Sequence, residues 1–141
     1  MHIQQLSVFL EDRSGRLTEL TRILAENDVN IIALSVAETA DFGIVRMVVG
    51  RPELAKNALE KGGFSIGLTE VICVNMPDEP GSLYRILQIL TDEGINIDYM
   101  YAFSKNNVAL AVIRSTDNQH VSEVLEKNKM KLLSHSDIYQ L

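Results

Sequence analysis

The chain has 141 residues, a net charge of −6 and a hydrophobic share of 46%, which is too apolar for a disordered segment. The acidic balance excludes a general binder of nucleic-acid backbones, which needs a basic face. No apolar run is long enough to cross a bilayer as a helix. Along the chain, Leu6, Val8 and Leu10 alternate with Ser7 and Phe9, so Ile3 to Leu10 is predicted to be a strand. Asp12 to Gly15 is a turn, and Ser14 or Gly15 opens a helix with Leu17, Leu20, Ile23 and Leu24 on one apolar stripe. Asn27-Asp28 ends that helix. Val29 to Glu38 is a β-branched strand, Thr39 to Asp41 a turn, and Phe42 to Val49 a near-continuous apolar strand suited to the middle of a sheet. Pro52 opens a second helix carried inward by Leu54, Ala55, Ala58 and Leu59, and Gly62-Gly63 stops it. Phe64 to Ile66 is a short last strand, followed by a connection through Gly67 to Glu70.

The second half follows the same plan. Glu70 to Met76 is a strand, and Pro80 to Glu93 a helix with Leu83, Ile86, Leu87 and Leu90 inward, closed by Gly94. Ile95 to Ser104 and Asn107 to Arg114 are strands. Asn118 to Asn128 is a helix capped by Asn118, and Met130 to Leu133 a final strand. A shift of 66 positions superposes the halves: Asp12, Gly15 and Leu17 fall on Asp78, Gly81 and Leu83, Ile23-Leu24 on Ile89-Leu90, and Asn30-Ile31 on Asn96-Ile97. Such self-similarity marks repeated units. The order βαββαβ, twice, is the split βαβ or ferredoxin-like arrangement. The expected fold class is therefore α+β, with two tandem units at 1–68 and 69–141 packed together.

The pattern Asp-x-x-Gly-x-Leu, a helix, then Val/Ile-Asn-Ile resembles the ACT domain family. It stands here as Asp12, Gly15, Leu17 and Val29-Asn30-Ile31, and again as Asp78, Gly81, Leu83 and Ile95-Asn96-Ile97. The second copy is the closer match, with Pro80-Gly81 and Glu93-Gly94; the first has Ser14 and Asp28 in place of that proline and second glycine. The resemblance spans the chain and implies a regulatory module that binds a free amino acid between paired units. It implies that Asp12, Arg13, Ser14, Gly15, Arg16 and Leu17, or Asp78, Glu79, Pro80, Gly81, Ser82 and Leu83, line the pocket, faced by Asn30-Ile31 or Asn96-Ile97. A turn feeding a helix N-terminus offers unpaired N–H groups to an α-carboxylate. Asp12 and Asp78 could accept from an ammonium group, Gly15 and Gly81 leave the backbone open, and the asparagines can bind either end. Each feature has a plainer reading: helix caps, turn glycines and strand-start hydrogen bonds.

Other chemistry finds little to rest on. His2, His120 and His135 have no metal-ligand spacing, no Walker-type loop is present, and no nucleophile-and-base set can be assembled. Cys73, the sole cysteine, sits within a strand and permits no internal disulfide. Tyr99, Tyr101 and Phe103 share one strand face; with an acidic chain, packing is favoured over stacked RNA bases. No catalysis, cofactor, metal, nucleic-acid or membrane partner is expected. Met1 is followed by no leader pattern, so a cytoplasmic location is expected. The expected partners are the amino acid and either a second copy or a regulated protein. The rival reading is a ligand-independent dimerisation module.

Overall fold

A computed structural model describes residues 2–11, 15–38 and 42–139. Two compact units emerge, one of Gln4–Thr69 and one of residues 70 onward joined by the N-terminal residues up to Ile3. The first contains β1 (Ile3–Glu11), α1 (Arg16–Glu26), β2 (Ile31–Glu38), β3 (Phe42–Val49), α2 (Pro52–Lys61) and the start of β4 (Ser65–Pro77). The second contains the rest of β4, then α3 (Ser82–Asp92), β5 (Tyr99–Lys105), β6 (Val108–Arg114), α4 (Asn118–Lys127), β7 (Lys131–Leu132) and α5 (His135–Tyr139).

Strand order is β2-β3-β1-β4 in the first unit and β5-β6-β4 with β7 on β4 in the second. β1 runs antiparallel to β3 with Leu6 opposite Met47 and Val8 opposite Val45. β4 runs antiparallel to β6 with Val74 opposite Ala111. Both are ferredoxin-like sheets with two main helices, as the βαββαβ order predicts, and the second unit adds the short α5. The cores correspond. Leu6, Val8 and Leu10 meet Leu20, Ile23 and Leu24 of α1 and Ala55 and Leu59 of α2. Ile72, Val74 and Met76 meet Ile86 and Leu90 of α3 and Val121, Val124 and Leu125 of α4. Cys73, Leu110 and Val112 are fully buried as well, so β4 and β6 bury both faces and read as continuous apolar runs.

Several boundaries differ from expectation. The short strand, connection and new strand expected over residues 64–76 are one strand, because Gly67 keeps an ordinary φ and apolar residues flank it on both sides. β2 and β5 begin at Ile31 and Tyr99 rather than Val29 and Ile95. Ile95 and Ile97 instead pack against the second core ahead of the ladder. Leu17, Leu54 and Leu83 are more than a third exposed. Arg16, not Leu17, is the first buried residue of α1. Asp117 rather than Asn118 caps α4, accepting from the His120 N–H at 3.0 Å. Asn118 turns inward and donates to the Glu70 carbonyl at 2.7 Å. The expected last strand shrinks to β7, and α5 follows, opened by Ser134 and Asp137: the Ser134 N–H donates to the Asp137 carboxylate at 2.9 Å and the Asp137 N–H to the Ser134 hydroxyl at 3.3 Å. The Ser134 N–H and the Ser134 hydroxyl, which donates to the same carboxylate at 3.0 Å, hold the Asp137 carboxyl below its ordinary pKa.

α1, α2, α3 and α4 end alike. The residue after each cap is left-handed: Asp28, Gly63, Gly94 and Lys129. The next N–H returns to the helix, from Val29 to Leu24, Phe64 to Leu59, Ile95 to Leu90 and Met130 to Leu125, at 2.9–3.0 Å. This is the Schellman turn, and it delivers an apolar side chain to the core each time. Phe64 and Met130 thereby reach the ground beneath the start of α1 and of α3.

Candidate functional site

Gly15 and Gly81 sit at the N-caps of α1 and α3 with φ of 85° and 93°. Left-handed backbone is the reason for glycine at both turns. Neither N-cap has a side chain to cap the first turn; the Ser82 N–H donates to the Glu79 carbonyl at 3.3 Å, and the positive end of each helix favours an anion. Asp78 stands three residues before its N-cap and is exposed. Asp12, Arg13 and Ser14 lie outside the described residues.

A cleft opens beside each helix start. In the second unit it measures about 260 Å³ and is lined by Met76, Pro77, Glu79, Pro80, Gly81, Ser82, Arg85, Ile86 and Met130. In the first it measures about 240 Å³ and is lined by Phe9, Leu10, Glu11, Arg16, Phe42, Gly63 and Ser65. The 66-residue shift carries Leu10, Glu11 and Arg16 onto Met76, Pro77 and Ser82, so the two clefts occupy the same place in the repeat.

Of the residues singled out in the sequence, Glu79, Pro80, Gly81 and Ser82 are brought together in the second cleft and Arg16 lines the first. Asp78, Leu83, Asn96 and Ile97 are not in that lining, nor are Gly15, Leu17, Asn30 and Ile31 in the other. The Asn30 carbonyl accepts from the Gly50 N–H at 2.9 Å, and the Asn96 carbonyl from the Ser115 hydroxyl at 3.1 Å. Ile31 and Ile97 pack against their cores. Phe9, Glu11, Phe42, Gly63, Ser65, Arg85 and Met130 were not anticipated. The repeat shift held a partial signal, since Phe64 aligns with Met130 and Glu19 with Arg85.

The two clefts differ in chemistry. Arg16 is 6% exposed. Its guanidinium lies 3.9 Å above the Phe64 ring, and its Nη1 donates to Glu19 at 3.0 Å. Its Nε is buried without a hydrogen-bond partner among the described residues, and a buried unmet donor costs ~1–3 kcal/mol. Phe9 and Phe42, both partly exposed, meet edge to face at 5.5 Å. The second cleft has Ser82 and Met130 at the positions of Arg16 and Phe64. Among the described residues, no group of three or more His, Cys, Asp or Glu side chains could hold a metal ion, and no helix is long and apolar enough to cross a membrane.

Comparison with known proteins agrees with this architecture. The crystal structure of protein BT0572 from Bacteroides thetaiotaomicron is 46% identical, with 100% of this chain and 98% of that one covered and a TM-score of 0.94. The regulatory subunit of aspartate kinase from Thermus thermophilus, in its ligand-free form, shares 14% identity over 88% of this chain and 90% of its own, with a TM-score of 0.63. The corresponding subunit from Thermus flavus shares 15% over the same fractions, at 0.60. At such identities these two show the fold alone. No curated protein matches the chain. The profile of a family described as an ACT domain pair matches residues 1–141, and the chain belongs to that family.

Proposed function

We propose that this ACT domain pair is a regulatory module that binds a free amino acid and passes the binding energy to a protein partner. The observation that carries the reading is a cleft at the same place in both units, each beside a helix whose N-cap is a left-handed glycine with no capping side chain of its own. Helix starts of this kind suit a carboxylate, and each cleft is lined by an acidic and a basic side chain, Glu11 and Arg16 in the first and Glu79 and Arg85 in the second. A zwitterion needs both signs. The turns at 12–17 and 78–83 are the proposed contacts, with Asn30-Ile31 and Asn96-Ile97 as additional ones. The units are taken as 1–68 and 69–141. The module is proposed to be cytoplasmic and to act without catalysis of its own. Regulation follows if the ligand binds one conformation or assembly of the partner complex better than another.

The test is a thermal-shift screen against the twenty amino acids at millimolar concentration. A ligand specific to the folded state raises stability by ~2.7 kcal/mol at a hundredfold excess over its dissociation constant. One amino acid or one chemical class should raise Tm, and a flat screen would reject the reading. A second reading, a ligand-independent dimerisation module, draws on β2. This edge strand leaves Leu34 and Val36 about half exposed, the kind of edge proteins cover. Its mark would be a dimer in sedimentation that no amino acid alters.

A further inference from the structure

We propose that the cleft of the first unit takes an α-amino acid with an apolar side chain, held by Arg16 at its carboxylate, by Glu11 at its ammonium and by Phe9 and Phe42 along its side chain. The inference rests on the amino-acid reading and narrows it to one unit and one ligand class. Three observations carry it. Arg16 is more than nine-tenths buried at the cleft wall, and its Nε has no acceptor among the described residues. Its Nη1 is engaged by Glu19 and one face of the guanidinium by Phe64, so the enclosed Nε–H at the cleft wall is an unmet donor directed at the kind of acceptor a carboxylate supplies.

The second observation is the aromatic pair. Phe9 is 47% and Phe42 37% exposed, yet they pack on each other at the rim of the same cleft. Glu11 lies directly opposite Phe42 in the β1–β3 ladder, which sets the carboxylate beside the apolar surface. Acid, base and aromatics thus converge within about 240 Å³, below the ~300–1,000 Å³ of sites for drug-sized ligands and suited to a small molecule. A Cβ built on Gly63 would meet no atom within 4 Å, so the cleft is open on that side. The third observation is the repeat itself. In the second unit Ser82 stands in place of Arg16, and no aromatic residue lines the cleft. The buried arginine and the aromatic rim are both missing there, its apolar lining being Met76, Pro77, Pro80, Ile86 and Met130 and its cation the exposed Arg85, which confines this selectivity to the first unit.

Calorimetric titration of the full chain with L-phenylalanine, L-leucine, L-aspartate, 3-phenylpropanoate and phenethylamine tests the assignment. L-Phenylalanine or L-leucine should bind best. 3-Phenylpropanoate lacks the ammonium, phenethylamine lacks the carboxylate, and each should bind about tenfold or more weakly, the loss of one charge-assisted contact. L-Aspartate should be weakened by at least as much. Arg16→Gln should reduce L-phenylalanine affinity by about tenfold or more. Phe9→Ser, at a side chain outside the core, should also weaken it and keeps the test open if Arg16→Gln does not fold. Wild-type affinity in a folded Arg16→Gln or in Phe9→Ser would overturn the assignment, as would equal binding of phenethylamine. Binding of L-aspartate in preference to L-phenylalanine would overturn it while leaving the amino-acid reading intact. Failure of all twenty amino acids to bind would sink both.

Discussion

Arg16 holds a guanidinium at the first turn of α1, the end of a helix that repels cations. Two contacts offset this: Glu19 one turn on, at 3.0 Å, and the Phe64 ring beneath, at 3.9 Å. Phe64 is therefore both a core residue, 4% exposed, and the platform of the candidate anchor. Phe64→Ala should cost ~3–5 kcal/mol of stability, read as a lower denaturant midpoint. Phe64→Leu should cost less and still remove the cation–π contact. Periodicity placed Leu17 on the buried stripe because it counts apolar residues only. It could not see that an arginine stem can lie against a ring while its head finds a carboxylate. Cys73 illustrates the simpler case, a strand residue that is fully buried. Burial pushes its thiol up to about 12 from 9.0. The folded state then holds the proton more tightly than the unfolded state. Stability from this group is complete below pH 9 and is lost as pH rises towards 12. Between pH 9 and 10.5 the loss should be about 1.5 kcal/mol. Denaturant titrations at the two pH values should show a smaller drop in Cys73→Ala. A thiol reagent at pH 8 should label the wild type only after unfolding.

Helix ends set the path of the chain into each cleft. At α2 the left-handed residue is Gly63, and at α4 it is Lys129, with φ of 88° and 63°. A side chain costs energy in that backbone region and glycine does not. Lys129→Gly should therefore raise stability by about 0.5–1 kcal/mol, and Gly63→Ala should lower it by about 1 kcal/mol although no atom obstructs the new methyl. Opposite signs in thermal unfolding would confirm the backbone cause; equal signs would reject it. Asp117→Ala should cost about 1 kcal/mol through the lost cap on α4. Most elements were legible because the chain punctuates them: Asn27-Asp28, Pro52, Gly62-Gly63 and Gly94 mark helix bounds by fixed chemistry. The misreadings share a cause. Gly67 looked like a break, but a glycine can also stay extended between apolar neighbours. Ile95 and Ile97 looked like a strand, but they serve the core before the ladder begins at Tyr99. α5 was announced by Ser134 and Asp137 at capping-box spacing, and that signal went unread because the helix is only five residues long.

Repetition governs the molecule as a whole. A 66-residue shift relates the helix starts, the Schellman turns and the two clefts, and it was visible in the sequence from glycine, leucine and asparagine positions alone. The clefts' contents were not legible from it, because their linings come from strand ends and helix C-terminal turns that meet only in the fold. Within that shared frame the side chains have diverged. Arg16 and Glu19 of the first unit correspond to Ser82 and Arg85 of the second, so each cleft keeps a cation but sets it at a different depth. Arg16 is buried, whereas Arg85 is exposed and faces solvent. A buried cation is less screened than an exposed one and holds a carboxylate more firmly. Unequal sites should follow. Titration with the best-binding amino acid should give one tight site per chain, and Tm at a hundredfold excess should rise by the ~2.7 kcal/mol equivalent of one site. Two equal, independent sites would give about twice that rise. Arg16→Gln, at about tenfold weaker binding or more, should remove about half of the rise or more, and Arg85→Gln should leave most of it. If Arg85→Gln instead abolished the response, the live cleft would be the second one, with its exposed cation and its proline-glycine turn as the anchor.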